Sequence, residues 1–579
     1  MSLFSTLNVA NKALYASQIG MDVTAQNISN AGVAGYSRKR VDLTAAYQRH
    51  TTFGQFGFGV DVVSISRIRS EYIDSQIRRQ SHELGKHQAI NFVLESMENI
   101  FREPSDTGIL EYMNKFFNSW ENLANNPADL AARNALRTNA AMLADVFRNV
   151  TTELDSLKAT RNQEMISIVN KVNNIAMEIF SLNGEISLVQ LQGQSANDSK
   201  DRRDQLMREL SELIDFEVQF AHDGQVTISV SGNILVSPAS MNRLEIYEDM
   251  STRMNNPTGN FNQFGVRMEK GKNQIIPRGG QLSGLMIARD QTIPAFEAQL
   301  DELARMLVTT VNNQHRLGYN LLGFTGFDFF DPTGLTARDI RVSAAVQHDV
   351  NNIAAARGGT LQNIRPSNVF IELDNDVFFA LNPITGGYER KTVQLLRSYP
   401  PPADGSPGDP ARNIASGSVI LRVAGTNTTL VEGLHFVVNY NFGTIQMIDD
   451  TYANEDFEIN FQFSTGGFPG VGNNENADAI AKLRTQLTMR EGVWGAPTAT
   501  FDQFYGSMIA ELGLSRREAM ANIDTREYLI GQYDTQQDSI AGVSLDEEMS
   551  NLIRYQYTYQ AAARIFSTAQ TMLDILMNL

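Results

Sequence analysis

Residues 542–579 read GVSLDEEMSNLIRYQYTYQAAARIFSTAQTMLDILMNL. Within them Leu545, Met549, Leu552, Gln556, Tyr559, Ala563, Phe566, Gln570, Leu573 and Met577 alternate in steps of four and three, and eight of the ten are apolar. That rhythm draws one narrow apolar stripe along a helix. Ser544 and Glu547 make an S-x-x-E capping box at its start, and Asp546 and Glu548 add negative charge where unpaired N–H groups and the positive dipole end lie. The cap, not acid–base catalysis, accounts for the acidic run, because consecutive helical residues point in different directions. A helix running from here to the last residues is about 50 Å long at 1.5 Å per residue. Its stability depends on something covering the stripe.

The other end repeats the rhythm. Leu3, Leu7, Ala10, Leu14, Ser17, Met21, Thr24 and Ile28 are spaced alike, six of the eight being apolar, and the pattern stops at Asn27-Ile-Ser-Asn-Ala-Gly32. A stripe of two positions in seven is the width of a coiled-coil seam rather than of a helix lying on a broad core. The two ends are therefore expected to pair with each other and with neighbouring subunits. The expected seam is Leu3, Leu7, Leu14, Met21 and Ile28 with Leu545, Met549, Leu552, Tyr559, Phe566, Leu573 and Met577, capped by Ser544 and Glu547.

Composition narrows the function. A chain of 579 residues is long enough for about four domains. Its formal charge, 48 − 65 = −17, opposes binding to phosphate backbones, so nucleic acid is not an expected partner. The absence of cysteine removes disulfides, thiolate metal sites and cysteine nucleophiles. No apolar run approaches the length of roughly 20 residues that a membrane helix needs. The start, MSLFSTLNVANKALYASQIGMDV, lacks the basic and apolar regions of a cleavable signal peptide. Export, if it occurs, needs another route.

Between the ends the chain alternates. Gly54, Gly57 and Gly59 follow G-x-x-G-x-G rather than a dinucleotide fingerprint and read as a connector. Residues 71–101 and 105–215 read as helical, with breaks at Pro104 and Asn126-Pro127. At Phe216 the period changes to two, and Asp223-Gly224 between alternating strands predicts a hairpin with a type I′ turn. Residues 290–316 return to helix. Alternation recurs at Phe436, Val438 and Tyr440, and at Phe457, Ile459, Phe461 and Phe463, around a proline-rich loop from Pro400 to Pro410. The expected fold is multidomain α+β: terminal helices forming a coiled-coil and helical-bundle shaft, with inserted β-rich outer domains. The expected divisions are 1–70, 71–215 (helical shaft), 216–275 (β-rich), 276–365 (return to the shaft), 366–470 (inserted β-rich domain) and 471–579.

Candidate chemistry is sparse, and no catalytic, cofactor or metal residue is expected. His82 and His87 stand five apart, off the spacing of a helical metal pair, and read as solvated surface. Glu372, Asp374 and Asp376 lack the glycine of a calcium loop, since Val377 follows, and read as a polar strand edge. Trp120 beside Phe116 and Phe117 reads as core. Arg38, Lys39 and Arg40 either hold acidic groups on an adjacent subunit or are solvated.

Several stretches resemble the bacterial flagellar axial family of rod, hook and hook-associated proteins, and most closely the hook-associated members at the hook–filament junction. They are Ala13-Leu14-Tyr15-Ala16-Ser17-Gln18, Asn27-Ile28-Ser29-Asn30-Ala31 and Gly35-Tyr36-Ser37-Arg38 near one end, and Gly542 to Glu548 with Asn551-Leu552-Ile553 near the other. Internally, Phe116 to Trp120, Gly279 to Leu285, Asn312 to His315 and Gly326 to Phe330 are similar to the junction members. Residues 366–470 match no shared motif. The resemblance implies a structural, non-enzymatic protein exported uncleaved by the flagellar type III apparatus. Implied partners are copies of itself in a ring or helical layer, the hook protein, a second junction protein or the flagellin side of the filament, and an export chaperone. An external or periplasmic flagellum is the implied location. Rival readings are another hook or rod protein, or an adhesin or carbohydrate-active protein tethered through the insert. A dilute monomer is expected to lose both ends to protease and keep a core near residues 70–500.

Overall fold

The computed structural model describes residues 3–577 apart from 34, 47, 52–53, 249–263, 358–360, 364–370, 382–387, 396–413, 415–417, 427, 440–443, 449–450, 465–471 and 491–496. The loop from Pro400 to Pro410 and Tyr440 lie outside the described residues. The chain forms two compact units, built from three and two separate stretches respectively.

The first unit comprises residues 1–94, 158–291 and 516–579. It opens with α1 (Leu3–Asn30), followed by four strands, β1 (Lys39–Ala45), β2 (Gln48–Thr51), β3 (Gly54–Gly57) and β4 (Val60–Arg67). β1 pairs antiparallel with β4, with a bulge between Asp42 and Leu43, and β2 pairs with β3, so the glycine-rich connector is a β ribbon. Next come the first part of α2 (Glu71–Phe101), the later part of α4 (Leu130–Leu191), and α5 (Asn197–Leu213).

Two three-stranded sheets follow, β5 (Glu217–Phe220), β6 (Val226–Val230) and β7 (Asn233–Val236), then β8 (Leu244–Glu248), β9 (Phe264–Met268) and β10 (Gln274–Ile275). On β6, Val226, Ile228 and Val230 are buried, the period of two expected of a half-buried strand. The expected hairpin at Asp223-Gly224 forms, but its turn is not type I′. His222, Asp223 and Gly224 separate Ala221 from Gln225, and only Gly224 among them takes positive φ. The chain reverses there through a type I turn, closed by Gly224 N donating to Ala221 O at 3.0 Å, with the glycine in the left-handed position of a three-residue hairpin loop. A two-residue turn with both central residues at positive φ lies instead at Ser231 and Gly232, the type I′ requirement. The unit is completed by α6 (Gly280–Ile287), a π turn over Ala288–Thr292 that extends one residue beyond it, the later part of α11 (Phe501–Ala541), and α12 (Leu545–Met577).

The second unit comprises residues 95–157 and 292–515. Its helical core centres on α3 (Ile109–Asn125), whose Phe116, Phe117 and Trp120 are buried. Trp120 meets Phe329 at 5.1 Å and His315 at 6.0 Å between ring centroids, a core setting. α7 (Ile293–His315) supplies Asn312, whose side chain accepts from the Phe329 and Phe330 amides and donates to Phe330 O. α10 (Glu475–Lys482), which follows two one-turn helices at Ala344–His348 and Asn375–Phe378 (α8 and α9), packs against α3 and α7.

The inserted region of this unit is β-rich. Strands Ile371–Leu373, Phe457–Asn460 and Ile420–Val423 form one antiparallel sheet, and Thr392–Gln394, Thr444–Met447 and Phe436–Asn439 another. Phe436, Val438, Phe457, Ile459 and Phe461 join Phe378, Leu395 and Leu421 in its core. Among the described residues, no helix is long and apolar enough to cross a membrane, and no three acidic or histidine residues are grouped to hold a metal.

Candidate subunit interface

α1 and α12 pack against each other in antiparallel fashion, Asn27 meeting Glu548 and Gly20 meeting Tyr555. α1 also rests on β1 and β4, where Lys12 Nζ reaches Asp61 at 2.6 Å. Small residues make the approach close: Ala10, Ala16, Ser17, Val23 and Thr24 of α1 are buried, and a Cβ at Gly20 would stand 2.6 Å from the Tyr555 ring.

The expected seam divides on this framework. On α1, Leu7, Leu14, Met21 and Ile28 are half-buried, and the Leu3 side chain lies outside the described residues. On α12, Leu552, Phe566 and Leu573 are half-buried, but Tyr559 is exposed, and so are Leu545 (54%), Met549 (51%) and Met577 (82%). The stripe that α12 turns towards α1 instead includes Glu548, Tyr555, Ala562 and Ala569, spaced by seven. A count of large apolar residues passes over it, because its members are a carboxylate, a phenol and two alanines.

Much apolar surface of α12 outside its contact with α1 therefore remains uncovered in the single chain, for Ile553, Tyr557, Ile565, Met572 and Ile575 are exposed as well. The charge pattern fits that exposure poorly for a solvated helix. α1 carries only Lys12 and Asp22, and residues 549–577 only Arg554, Arg564 and Asp574. Exposed apolar surface so poor in charge is the kind that a partner covers.

The base of the pair is polar. Arg38 donates through Nε to Glu548 at 2.8 Å and through Nη1 to Glu547 at 2.8 Å. Asn27 donates to Glu548 at 3.0 Å and to Lys39 O at 2.9 Å, and accepts from Lys39 N at 3.0 Å and the Tyr36 hydroxyl at 2.8 Å. Ser544 Oγ accepts from the Glu547 amide at 3.4 Å, while the Glu547 carboxylate, free of the box, takes Arg38. Lys39 pairs with Asp198 at 2.6 Å, and Arg67 bridges Asp201 and Asp204. Arg38 and Lys39 thus find acidic partners within their own chain. Burial, then the carboxylates of Asp198, Asp201 and Glu548, push the Tyr36 hydroxyl up to about 12, so it stays protonated and donates.

The histidines depart from the solvated reading. His82 packs edge-on against Phe216 with ring centroids 5.3 Å apart, and burial, aided by Arg78, drives it down to about 4; burial also lowers His87.

Against known proteins, residues 94–330 match the helical domain of flagellar hook-associated protein FlgK, and residues 537–579 match the C-terminal region of the flagellar basal body rod FlgEFG proteins. Flagellar hook-associated protein 1 of Bacillus subtilis (strain 168) aligns over 100% of this chain and 98% of its own length at 26% identity. Over its whole length the chain resembles flagellar hook-associated protein FlgK. Flagellar hook-associated protein 1 of Escherichia coli (strain K12) is also 26% identical, covering 99% of this chain and 100% of itself. In fold, the chain is similar to the flagellar hook junction protein FlgK from Burkholderia pseudomallei, with a TM-score of 0.54 at 17% identity over 80% of this chain and 100% of that one. The match to the basal body rod proteins falls on the end of α11 and on α12, the helix whose apolar surface is partly uncovered.

Proposed function

We propose that this chain is a structural component of the bacterial flagellum at the hook–filament junction, and that it assembles by packing the α1–α12 pair against the same pair of neighbouring copies in a ring or helical layer. The observation that carries this reading is the apolar surface of α12 that the single chain leaves uncovered. Association in such a layer covers it at a gain of roughly 25 cal/mol per Å2 of apolar area removed from water. The seam residues Leu545, Met549 and Met577 would meet neighbours, while Leu552, Phe566 and Leu573 serve both the partner helix and the layer.

In the same reading the hook protein and a second junction protein or flagellin lie on either side, an export chaperone escorts the uncovered helix, and the chain leaves the cell uncleaved through the flagellar export apparatus.

Ile565→Asp tests it. Ile565 is already half in water, so the monomer's helical content and melting temperature should hold, while incorporation into isolated flagella and motility of a strain carrying only the variant should be lost. Normal incorporation of Ile565→Asp would overturn the reading.

A further inference from the structure

α1 and α12 meet through positions that offer little to choose one alignment over another. The residue numbers of touching partners sum to a constant, 27 with 548 and 20 with 555. Continuing in sevens brings Ala562 and Ala569, both buried, opposite Ala13 and Thr6. Alanine against alanine or threonine tolerates displacement along the helix. Two contacts do not. Glu548 is 2% exposed, and its carboxylate is satisfied by Arg38 and Asn27, themselves fixed on the loop and helix that precede β1. The Tyr555 ring lies where any side chain at position 20 would stand.

We propose that Glu548, clasped by Asn27 and Arg38, together with Tyr555 on Gly20, is the register lock of the terminal helix pair, with Glu548 the principal positioning residue. α1 is the fixed partner, because Asn27 bonds both backbone groups of Lys39 and Lys12 holds Asp61. α12 is the helix that can shift. A slip of one heptad, about 10 Å along the axis, would bring Glu548 to Gly20 and strand a buried carboxylate without donors, the situation that makes a single buried polar group specify coiled-coil register. Whether alignment in turn decides how neighbouring copies stack rests on the proposed assembly. The lock itself is a property of one chain.

The chain has no cysteine, so engineered pairs report alignment directly. Ala13→Cys with Ala562→Cys probes the observed register, and Thr6→Cys with Ala562→Cys a register one heptad away, beyond the Cα separation a disulfide spans. In dilute full-length chain the first pair should oxidise and the second should not. Adding Glu548→Leu should raise the ratio of shifted to observed cross-link by about tenfold or more, given the penalty on a buried charge that it removes. An unchanged ratio would overturn the lock. If Glu548→Leu gives neither cross-link, Glu548→Gln, which keeps the contact with Asn27 but loses the charge facing Arg38, decides: a shifted ratio supports the lock and an unshifted one rejects it. A slipped chain that still enters flagella would leave the lock standing and count against the dependence of assembly on this pair, which Ile565→Asp tests separately.

Discussion

His315 at the end of α7 is fully buried, its Nδ1 donating to Phe327 O at 2.6 Å and its Nε2 accepting from the Ala354 amide at 2.8 Å. Those two bonds need the neutral ring with the proton on Nδ1. Burial, with Arg133 and Arg316 nearby, pushes it down to about 4, since an enclosed imidazolium lacks the water that would stabilise it. The unfolded chain, with an ordinary histidine near 6.5, then binds the extra proton first, so stability is full above 6.5 and falls as pH drops from 6.5 towards 4, by about 3 kcal/mol in all. Burial raises the Asp328 carboxyl, which works in the opposite sense at acid pH. Comparing His315→Gln with the parent isolates the histidine: the variant should melt lower at pH 7.5 but lose less between pH 6.5 and 4.5, read by thermal denaturation monitored by circular dichroism. Arg133 is a second residue of this kind. It donates to Pro127 O, Val350 O and Ile353 O from a site 1% exposed. Arg133→Met should leave those carbonyls unpaired and destabilise by about 3 kcal/mol, read by urea titration. Neither role was legible in the sequence, because both depend on backbone carbonyls and amides far away in the chain, which leave no spacing to find.

At the scale of elements, Gly232 offers a clean test. It holds positive φ, and nothing lies within 4 Å of its would-be Cβ. Gly232→Ala therefore introduces backbone strain without a clash and should cost about 1–2 kcal/mol. An unchanged urea midpoint would contradict the turn assignment. The sequence disclosed this hairpin region through the alternation of Val226, Ile228 and Val230, but pointed to Asp223-Gly224 for the tight turn because an Asp-Gly pair is the stronger signal. Helix existence was similarly open to reading: the breaks at Pro104 and Pro127 fall between α2, α3 and α4, whereas residues 192–196, which separate α4 from α5, contain no proline. The stripe on α12 shows the limit. α12 carries apolar residues on more than one side, so the four-three rhythm of the large ones does not single out the stripe that meets α1. The one that meets α1 was hidden because Glu548 and Ala562 score as polar and small, and the depth of a close-packed seam is set by the residues opposite, Gly20 and Asn27.

For the molecule as a whole, charge is unevenly distributed along the chain. The five charged residues of α1 and the stretch 549–577 sum to +1, so the whole of the formal charge of −17 is carried elsewhere in the chain. Copies approaching one another therefore repel over the body, while α1 and the stretch 549–577 contribute almost no net charge of their own. Repulsion between exposed like charges is screened within about 10 Å at 0.1 M salt, whereas apolar contact is not weakened by screening. Self-association should accordingly strengthen as NaCl rises from about 0.02 to about 0.3 M. It should strengthen again as pH falls from 7.5 towards the isoelectric point near 5.0, where the net charge that keeps copies apart vanishes. Sedimentation velocity at fixed protein concentration reads both trends. An interface held by ion pairs would respond to salt in the opposite direction, so dissociation on adding NaCl would reject an apolar seam. Ile565→Asp separates the seam from non-specific precipitation of an acidic protein: it places one charge in the uncovered apolar surface of α12, leaves the body unchanged, and should abolish the salt-promoted species while leaving the monomer's sedimentation as it was.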